Sequence, residues 1–240
     1  MRIFTNKALI KRNARIGKAA SLAGVVILVG GMLLSFREEE LIGLAFAALI
    51  GGFSLSQIGI FLGNRYARQT RPDQALNTAL KGLDRQHTLY HYIAPVAHLL
   101  IGPPGIWILM PRHQRGRITF RKNRWRQSGG LGLTYMRFFA QEGLGRPDLE
   151  VGAELNAIEK FLKRYLPEMT FPEPQAALLF TDERTDIDAE DAPIPTLPVK
   201  KFKEYVRKNP AGKNRLSPEQ IAAIQGLLEK EFAGTPAEEE

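Results

Sequence analysis

The sequence predicts an α/β protein in which an N-terminal transmembrane helical hairpin precedes a domain built on a mixed sheet. Two segments without any charged residue, 19–36 and 41–62, carry the hairpin prediction. An apolar helix of about 18 or more residues can cross a hydrocarbon core of about 30 Å, because a helix rises about 1.5 Å per residue. Alternating helix-like and strand-like patterns between 72 and 232 predict the α/β domain.

The charges around the hairpin predict its orientation. The turn 37–40 contains three glutamates, whereas basic stretches without any acid flank the two apolar segments. Lysine and arginine near a span stay on the cytoplasmic side of the membrane. We therefore expect a two-span protein of the cell membrane with both termini cytoplasmic. The flanking basic residues are Arg2, Lys7, Lys11, Arg12, Arg15 and Lys18 before the first segment, and Arg65, Arg68 and Arg71 after the second.

Two other interpretations of the hairpin were weighed. A cleaved signal peptide fits poorly, because its apolar stretch is typically about 7–15 residues long and no small-x-small cleavage site precedes Arg37. A buried helical hairpin of a soluble protein is the second alternative. The many glycines favour a membrane, where glycine lets helices approach closely. Gly59 and Gly63 form a G-x-x-x-G spacing that is consistent with a seam between the two helices.

Composition limits the chemistry. The 240 residues contain no cysteine, which excludes disulfides, thiol catalysis and cysteine metal sites.

The net charge of +8 is unevenly distributed along the chain. Residues 64–137 contain 13 Lys and Arg against 2 Asp and Glu, and residues 138–240 contain 13 against 20. The basic half adjoins the predicted membrane. On charge alone, contact with anionic lipid is favoured over a cleft for nucleic acid.

The elements of the domain follow from periodicity and end signals. Pro72 and Asp73 suit the first turn of a helix, and Gly102-Pro103-Pro104-Gly105 is a turn that joins two apolar strands into an antiparallel pair. Ser217 and Gln220 form a capping box. Expected helices are 72–84, 147–166, 200–208 and 217–232, and expected strands are 87–93, 96–101, 106–110, 117–121, 176–181 and 194–199.

The remaining segments were assigned to loops and a tail. Residues 127–145 are glycine-rich, lack the Gly-Lys-Ser/Thr ending of a phosphate loop, and are expected to form a loop. Residues 182–191 are expected to form an acidic loop, and 234–240 an acidic tail. The predicted organisation is a basic N-terminus (1–18), the hairpin (19–63), an α/β domain (64–208), and a C-terminal helix and tail (209–240).

The stretch 89–95, Leu-Tyr-His-Tyr-Ile-Ala-Pro, and the hairpin from His98 to Leu109 resemble the core of the nuclease-related domain family, NERD. Gly116 and Trp125 stand where that family has a glycine and a tryptophan. The resemblance covers about residues 71–208. It implies a restriction-endonuclease-like core, a mixed sheet flanked by helices.

The resemblance also indicates which chemistry to expect. Enzymes with this core hold a divalent metal with an aspartate on the first hairpin strand and a glutamate on the second, and a lysine two residues later helps to activate water. Those positions are Ala97, Met110 and Arg112 in this chain. Residues 93–122 contain no Asp or Glu at all, and an arginine stays protonated. The resemblance therefore implies a retained fold, lost nuclease chemistry and no metal or other cofactor.

Two further sets of residues were considered. The sequence allows a zinc site formed by three of the four histidines, but it favours structural roles for them. The histidines are His87, His91, His98 and His113. A basic cluster is the best remaining candidate for binding, with Trp125 as a base-stacking or interfacial residue within it. The residues favour neither lipid headgroups nor nucleic acid as its partner. The cluster comprises Arg112, Arg115, Arg117, Arg121, Lys122, Arg124 and Arg126.

Three hypotheses about function follow. The first is a membrane-anchored, catalytically inactive binding or scaffold protein whose partners are membrane lipid and nucleic acid, with no small-molecule substrate. The second is an active, metal-dependent nuclease whose displaced site uses Mg²⁺ and carboxylates such as Asp73, Glu154 or Asp182. The third is a purely structural membrane protein.

Overall fold

The structure is a computed structural model that describes residues 1–36, 41–68, 71–129, 143–208 and 212–231. The chain divides into two compact units. One consists of residues 7–71, and the other combines residues 1–6 with residues 72–240. The predicted acidic turn 37–40, most of the predicted loop 127–145 and the acidic tail lie outside the described residues.

The first unit is a hairpin of two long helices, α1 (Lys7–Ser35) and α2 (Ile42–Leu62), and α2 continues into a short π-helix, Gly63–Ala67. Both α1 and the helical segment that begins with α2 are long and apolar enough to cross a membrane. The predicted helical hairpin is confirmed. The first helix begins earlier than residue 19, so the five basic residues between Lys7 and Lys18 belong to its first turns.

The two helices meet along small residues. Small buried residues recur at every seventh position, at Gly17, Gly24 and Gly31 on α1 and at Ala45, Gly52 and Gly59 on α2, and α1 also buries Ile10 and Ala20. A Cβ on Gly24 would lie 2.7 Å from the backbone N of Ser56, and one on Gly52 would lie 2.9 Å from the backbone O of Gly24. These distances require glycine. Of the predicted G-x-x-x-G pair, Gly59 must be glycine because a Cβ there would lie 2.5 Å from the backbone N of Ser21. Gly63 contributes only its backbone: its N lies 3.2 Å from a Cβ built on Gly17, while a Cβ on Gly63 itself would meet nothing within 4 Å.

The second unit contains a mixed sheet. Among the described residues six strands form it, in the spatial order β1-β2-β3-β4-β7-β9. The β2, β3 and β4 strands are antiparallel neighbours, and β1, β7 and β9 pair in parallel with β2, β4 and β7 respectively. The strands are β1 (Arg2–Thr5), β2 (Thr88–His91), β3 (His98–Gly102), β4 (Gly105–Arg112), β7 (Gln175–Phe180) and β9 (Thr196–Pro198).

The predicted strands of this sheet are confirmed within a few residues, but β1 was missed. Residues 1–18 were expected to be a basic cytoplasmic segment, whereas residues 2–5 pair with β2 in the register Arg2↔Thr88 to Thr5↔His91. A strand of four residues with a single arginine and threonine carries too little period-two pattern to be distinguished from a charged leader. The domain therefore begins before the hairpin and resumes after it.

Helices cover both faces of this sheet. The α3 (Pro72–Leu80) and α5 (Val199–Lys208) helices pack on one face, where Leu76, Leu80 and Phe202 are fully buried with Trp107. The α4 (Pro147–Tyr165) and α6 (Pro218–Glu231) helices contribute Ile158, Leu162, Ile224 and Leu228 to the core on the other face. The result is a three-layer α/β/α arrangement, the mixed α/β class that the sequence predicts.

A smaller sheet follows the central hairpin. Its described strands are β5 (Gly116–Arg121), β6 (Arg124–Ser128) and β8 (Thr185–Asp188), in the order β6-β5-β8. The tight β5–β6 turn places Lys122 and Asn123 at φ 52° and 57°. Residues 185–188 were expected within an acidic loop. This expectation is wrong, because Asp186 and Asp188 lie beside arginines of β5 in a parallel pair.

The sequence also predicts correctly where α6 begins. Ser217 donates its backbone N–H to Gln220 Oε1 at 2.8 Å, and the backbone N–H of Gln220 donates to Ser217 Oγ at 3.1 Å. This reciprocal pair is the predicted capping box, and it satisfies two donors that the helix itself leaves unpaired.

Candidate functional site

The end of the β3–β4 hairpin away from its turn is the position at which the resemblance places the metal carboxylates. β3 and β4 pair in the register Leu99↔Ile108, and two more residues in that register align Ala97 with Met110. Met110 is only 6% exposed and belongs to the hydrophobic core. An apolar side chain therefore fills the position of a metal-ligating glutamate. Hard cations require oxygen ligands, which neither Ala97 nor Met110 supplies.

Arg112, at the position of the expected lysine, is held by the scaffold. Its guanidinium forms an ion pair with Glu150 in the first turn of α4, and its carbonyl accepts a hydrogen bond from the Thr181 backbone N–H at 2.8 Å. An arginine cannot give up its proton at neutral pH and so cannot act as a base. Arg112 therefore links α4 to the end of β4.

The same end of the sheet contains a buried histidine pair. The Nδ1 atoms of His91 and His98 lie 2.8 Å apart, and His91 Nε2 lies 2.8 Å from Asn77 Oδ1. An amide oxygen only accepts, so Nε2 of His91 carries a proton. In neutral His91 the Nδ1 atom then accepts a hydrogen bond from Nδ1–H of His98. These hydrogen bonds join α3 to the ends of β2 and β3, which gives both histidines a structural role.

The other predicted metal ligands are dispersed. His87 bonds to Asp84 at 2.6 Å, away from the histidine pair. Asp73 is buried in the first turn of α3, Glu154 lies in the middle of α4, and Asp182 follows β7. Within the described parts of the chain, no group of three or more histidine, aspartate or glutamate side chains is arranged to hold a metal ion.

Asp182 has a different role from that of a metal ligand. Arg115 Nε donates to its Oδ2 at 2.8 Å, and Arg184 Nε donates to its Oδ1 at 3.0 Å. The Arg184 guanidinium, helped by Arg115, holds the pKa of the Asp182 carboxyl well below its usual range, although partial burial acts in the opposite direction. The carboxylate anchors the junction between the two sheets.

The predicted basic cluster is spread over β4, β5, β6 and the turns between them, and four of its seven members are paired. In addition to Arg112 and Arg115, Arg117 and Arg121 contact Asp188 at 2.9 and 3.3 Å. Opposite charges on neighbouring strands lie close enough to interact across a sheet. The acidic strand β8, for which the sequence predicts a loop, therefore neutralises part of the cluster.

Three members of the cluster keep their charge open to solvent. Arg124 and Arg126 lie on the exposed face of the edge strand β6, and Lys122 lies in the exposed β5–β6 turn. The described residues provide none of the three with an ion-pair partner. Because paired strand positions share a face, Arg124 lies next to Arg121 and Arg126 next to Thr119. The candidate binding surface, the β6 basic edge, consists of Lys122, Arg124 and Arg126.

Trp125 does not belong to that surface, which corrects the sequence-based expectation. It points to the opposite face of β6, is only 6% exposed, and packs against Phe120 with ring centroids 4.7 Å apart. Its indole N–H donates to Thr196 Oγ1 at 3.1 Å. A buried indole cannot stack on a base, so the aromatic support for nucleic-acid binding is lost. The alternation Arg124-Trp125-Arg126 in a half-buried strand is the signal that predicts this orientation.

Sequence reasoning missed one concave surface. A cleft of about 750 Å³ lies at the turn end of the β3–β4 hairpin, and its lining includes Arg2, Arg85 and Arg215. These arginines are far apart in the chain, so no local motif marks them. No family model, no curated protein and no solved structure matches this chain.

Proposed function

We propose that this protein is a membrane-anchored, catalytically inactive nuclease-related-domain protein that acts as a binding or scaffold module at the cytoplasmic membrane face. The observation that carries the proposal is the end of the β3–β4 hairpin, where a buried methionine and a paired arginine occupy the positions of the expected catalytic groups. The order α3-β2-β3-β4-α4-β7, with β7 parallel to β4, is consistent with the core that the resemblance implies.

Membrane anchoring is supported by the side chains that the helical hairpin exposes. Except for Leu149 and Tyr165, all of the exposed large apolar side chains of the described residues lie between Ile16 and Phe61. An exposed apolar surface of this extent needs a partner, and lipid tails provide one around helices whose seam consists of small residues.

The sheet supports the proposed topology. The segment before α1 and the segment after α2 contribute β1 and β2 to one sheet. Two strands that pair cannot be on opposite sides of a bilayer, so both ends of the hairpin belong on one side. The basic flanks favour the cytoplasm for that side. The absence of native cysteine makes this testable: Asn123→Cys should react only with permeant thiol reagents in intact cells, and Glu39→Cys also with impermeant ones.

The β6 basic edge is the proposed contact surface, and anionic membrane lipid is its proposed partner. Each exposed Lys or Arg near an anionic surface contributes about 1 kcal/mol to binding. The burial of Trp125 removes the stacking platform that single-stranded nucleic acid would use, and this favours lipid. Nucleic acid is the other outcome of the test.

The test uses the full chain in nanodiscs of neutral or anionic phospholipid. We expect slower amide exchange of β6 in the anionic discs than in the neutral discs, and loss of that difference at high salt or in Arg124→Gln/Arg126→Gln. The matched control is Lys160→Gln/Arg164→Gln, which removes two exposed charges from α4.

The same samples test for cleavage. Labelled DNA and RNA are incubated with Mg²⁺ or Mn²⁺ and with chelator. Metal-dependent cleavage that is lost in Asp73→Asn, Glu154→Gln or Asp182→Asn would establish the displaced nuclease site and overturn the proposal. A salt-sensitive shift of nucleic acid without cleavage, abolished by the β6 variant, would keep the binding module and change its partner.

A further inference from the structure

The cleft at the turn end of the β3–β4 hairpin is separate from both surfaces discussed above. It is formed by the beginning of β1, the loop before β2, the β3–β4 turn and the first two turns of α6. Its volume of about 750 Å³ is within the range of small-molecule sites, about 300–1,000 Å³. β4 separates it from the degenerate catalytic position, because the turn and Met110 are at opposite ends of that strand.

Two of the three arginines in the cleft have no partner among the described residues. Arg2 is engaged, since it donates to Gln225 Oε1 at 2.5 Å and pairs with Glu229 at 3.3 Å. Arg85 and Arg215 form no hydrogen bond or ion pair with the described part of the chain. The side chain of Gln86 is likewise unbonded there. Two guanidiniums and one amide therefore offer donors to the same cavity.

Few carboxylates balance the arginines that line the cleft. The only carboxylate that contacts a lining arginine in the described residues is Glu229, and Asp84 is occupied by His87. The cationic groups therefore exceed the acids that face them.

The beginning of α6 contributes a field rather than donors. Its capping box already occupies the backbone N–H groups of Ser217 and Gln220, and Pro218 has none. The Gln220 amide donates to the Thr170 carbonyl, and the Gln225 amide donates to Thr88 Oγ1. The helix dipole still favours negative charge nearby. The unbonded guanidinium and amide donors available to a ligand are those of Arg85, Arg215 and Gln86.

The remaining lining is apolar. It includes Pro103, Leu216, Pro218, Ile221 and Ala222. A cavity with an apolar wall and a cationic rim suits a ligand that combines an anionic group with an apolar part. Arginine guanidiniums match phosphate oxygens in geometry as well as in charge.

We propose that this cleft binds a phosphate-bearing small molecule, with Arg85 and Arg215 contacting the phosphate group. The phosphate could belong to a soluble phosphate ester or to the headgroup of a phospholipid, and the chemistry of recognition is the same. The proposal goes beyond the membrane-anchored scaffold function, because it uses a different surface and gives the domain a small-molecule ligand.

Calorimetric titration of the full chain, in a non-ionic detergent and a buffer without phosphate or sulfate, tests the proposal. The two probes are inorganic pyrophosphate and dihexanoyl phosphatidic acid. We expect saturable binding of at least one probe, and Arg85→Gln or Arg215→Gln should each weaken it about tenfold or more. Both side chains are exposed, so neither variant threatens folding. Arg164→Gln, which removes an exposed arginine of α4 outside the cleft and outside the β6 basic edge, is the matched control and should bind like the wild type.

The pattern of binding identifies the source of the phosphate. Stronger binding of pyrophosphate assigns the cleft to soluble phosphates, and stronger binding of phosphatidic acid assigns it to a lipid headgroup. No saturable binding of either probe would overturn the proposal. Equal affinity in wild type, Arg85→Gln and Arg215→Gln would also overturn it. Neither failure affects the scaffold function, whose test depends on Arg124, Arg126 and the absence of cleavage.

Discussion

The helical hairpin and the sheet domain bury opposite kinds of side chain. In α1 and α2 most of the buried positions are glycine or alanine, three of them at seven-residue intervals on each helix, while Phe46, Ile50 and Phe53 are more than half exposed. In the sheet domain Leu99, Ile108 and Phe180 are at most 1% exposed. In water, the hydrophobic effect buries apolar side chains inside a domain. Between helices in lipid this effect is absent, so the helices associate through close packing of their backbones.

The two regions also satisfy their backbones and charges differently. The α6 helix has a capping box and α4 has Asp148 and Glu150 in its first turn, whereas α2 has no acidic residue in its first turn and no side-chain cap. Arginine–carboxylate pairs link β5 to β8 in the smaller sheet. The sheet domain therefore follows the rules of an aqueous protein, whereas the hairpin has the pattern expected of helices that face lipid, in agreement with the proposed membrane anchor.

The largest expected effect tests the contrast between buried aromatic side chains in the sheet domain and exposed ones in the hairpin. Phe180→Ala removes a fully buried ring from the core and should lower the free energy of unfolding of the sheet domain by about 3–5 kcal/mol. Phe46→Ala, at a side chain that is 65% exposed, should leave it unchanged. Both tryptophans, Trp107 and Trp125, lie in the sheet domain, so their fluorescence during urea unfolding in detergent reports that domain alone. An equal loss in Phe46→Ala would contradict the comparison.

The seam of the hairpin should be sensitive where its outer surface is not. Gly24→Leu places a side chain where even a Cβ approaches the backbone of Ser56, and overpacking of this kind costs about 1–3 kcal/mol. Gly30→Leu is the matched control, because a Cβ there meets nothing within 4 Å. We expect Gly24→Leu, and not Gly30→Leu, to lower the midpoint of thermal helix loss followed by far-UV circular dichroism. Similar midpoints for both variants would show that the close contact at Gly24 does not stabilise the hairpin.

Sequence reasoning was successful where the signal is local. The two charge-free segments give the hairpin, the Gly-Pro-Pro-Gly turn gives the β3–β4 pair, and the Ser217–Gln220 box gives the beginning of α6. It failed where distant segments meet. The β1 strand is recognisable only through its pairing with β2, and β8 only because Asp186 and Asp188 lie beside arginines of β5.

The same limit applies to the candidate sites. The loss of hairpin carboxylates is visible in the sequence, since residues 93–122 contain none. The neutralisation of Arg115 by Asp182 joins residues 67 positions apart, and the cleft joins Arg2, Arg85 and Arg215. Charge counted along the chain therefore overestimates the basic cluster and misses the cleft, because electrostatics depends on distance in space.

The next prediction concerns the ion pairs of the sheet domain, whose contribution to stability depends on pH. The pKa of Asp182 is lower in the folded protein than in the unfolded chain, because Arg184 and Arg115 stabilise its carboxylate. Its contribution to stability is therefore complete above the unfolded pKa and is lost as the pH falls toward the folded pKa. Asp182→Asn should be less stable than the wild type at neutral pH, and the difference should shrink below a pH of about 4.

Urea unfolding followed by tryptophan fluorescence at several pH values measures this difference. Asp186→Asn removes an acid from the neighbouring strand, where its side chain is 72% exposed, and serves as the matched control. A difference between Asp182→Asn and wild type that stays constant from neutral to acid pH would mean that packing, and not the charge of Asp182, accounts for the loss.

The smallest expected effect concerns the helix ends. Ser217→Ala removes the hydroxyl that accepts the backbone N–H of Gln220, and the loss of such a cap costs about 1 kcal/mol. A carboxylate accepts the same hydrogen bond, so Ser217→Asp should restore the stability, and urea unfolding measures both variants. The corresponding change at the N-cap of α2, Leu41→Ala, removes no side-chain hydrogen bond and should not alter the domain. If Ser217→Ala is as stable as the wild type, α6 is held by Ile224 and Leu228 in the core rather than by its cap. The contrast between a capped helix in the sheet domain and an uncapped apolar helix in the hairpin would then have no energetic consequence at this position.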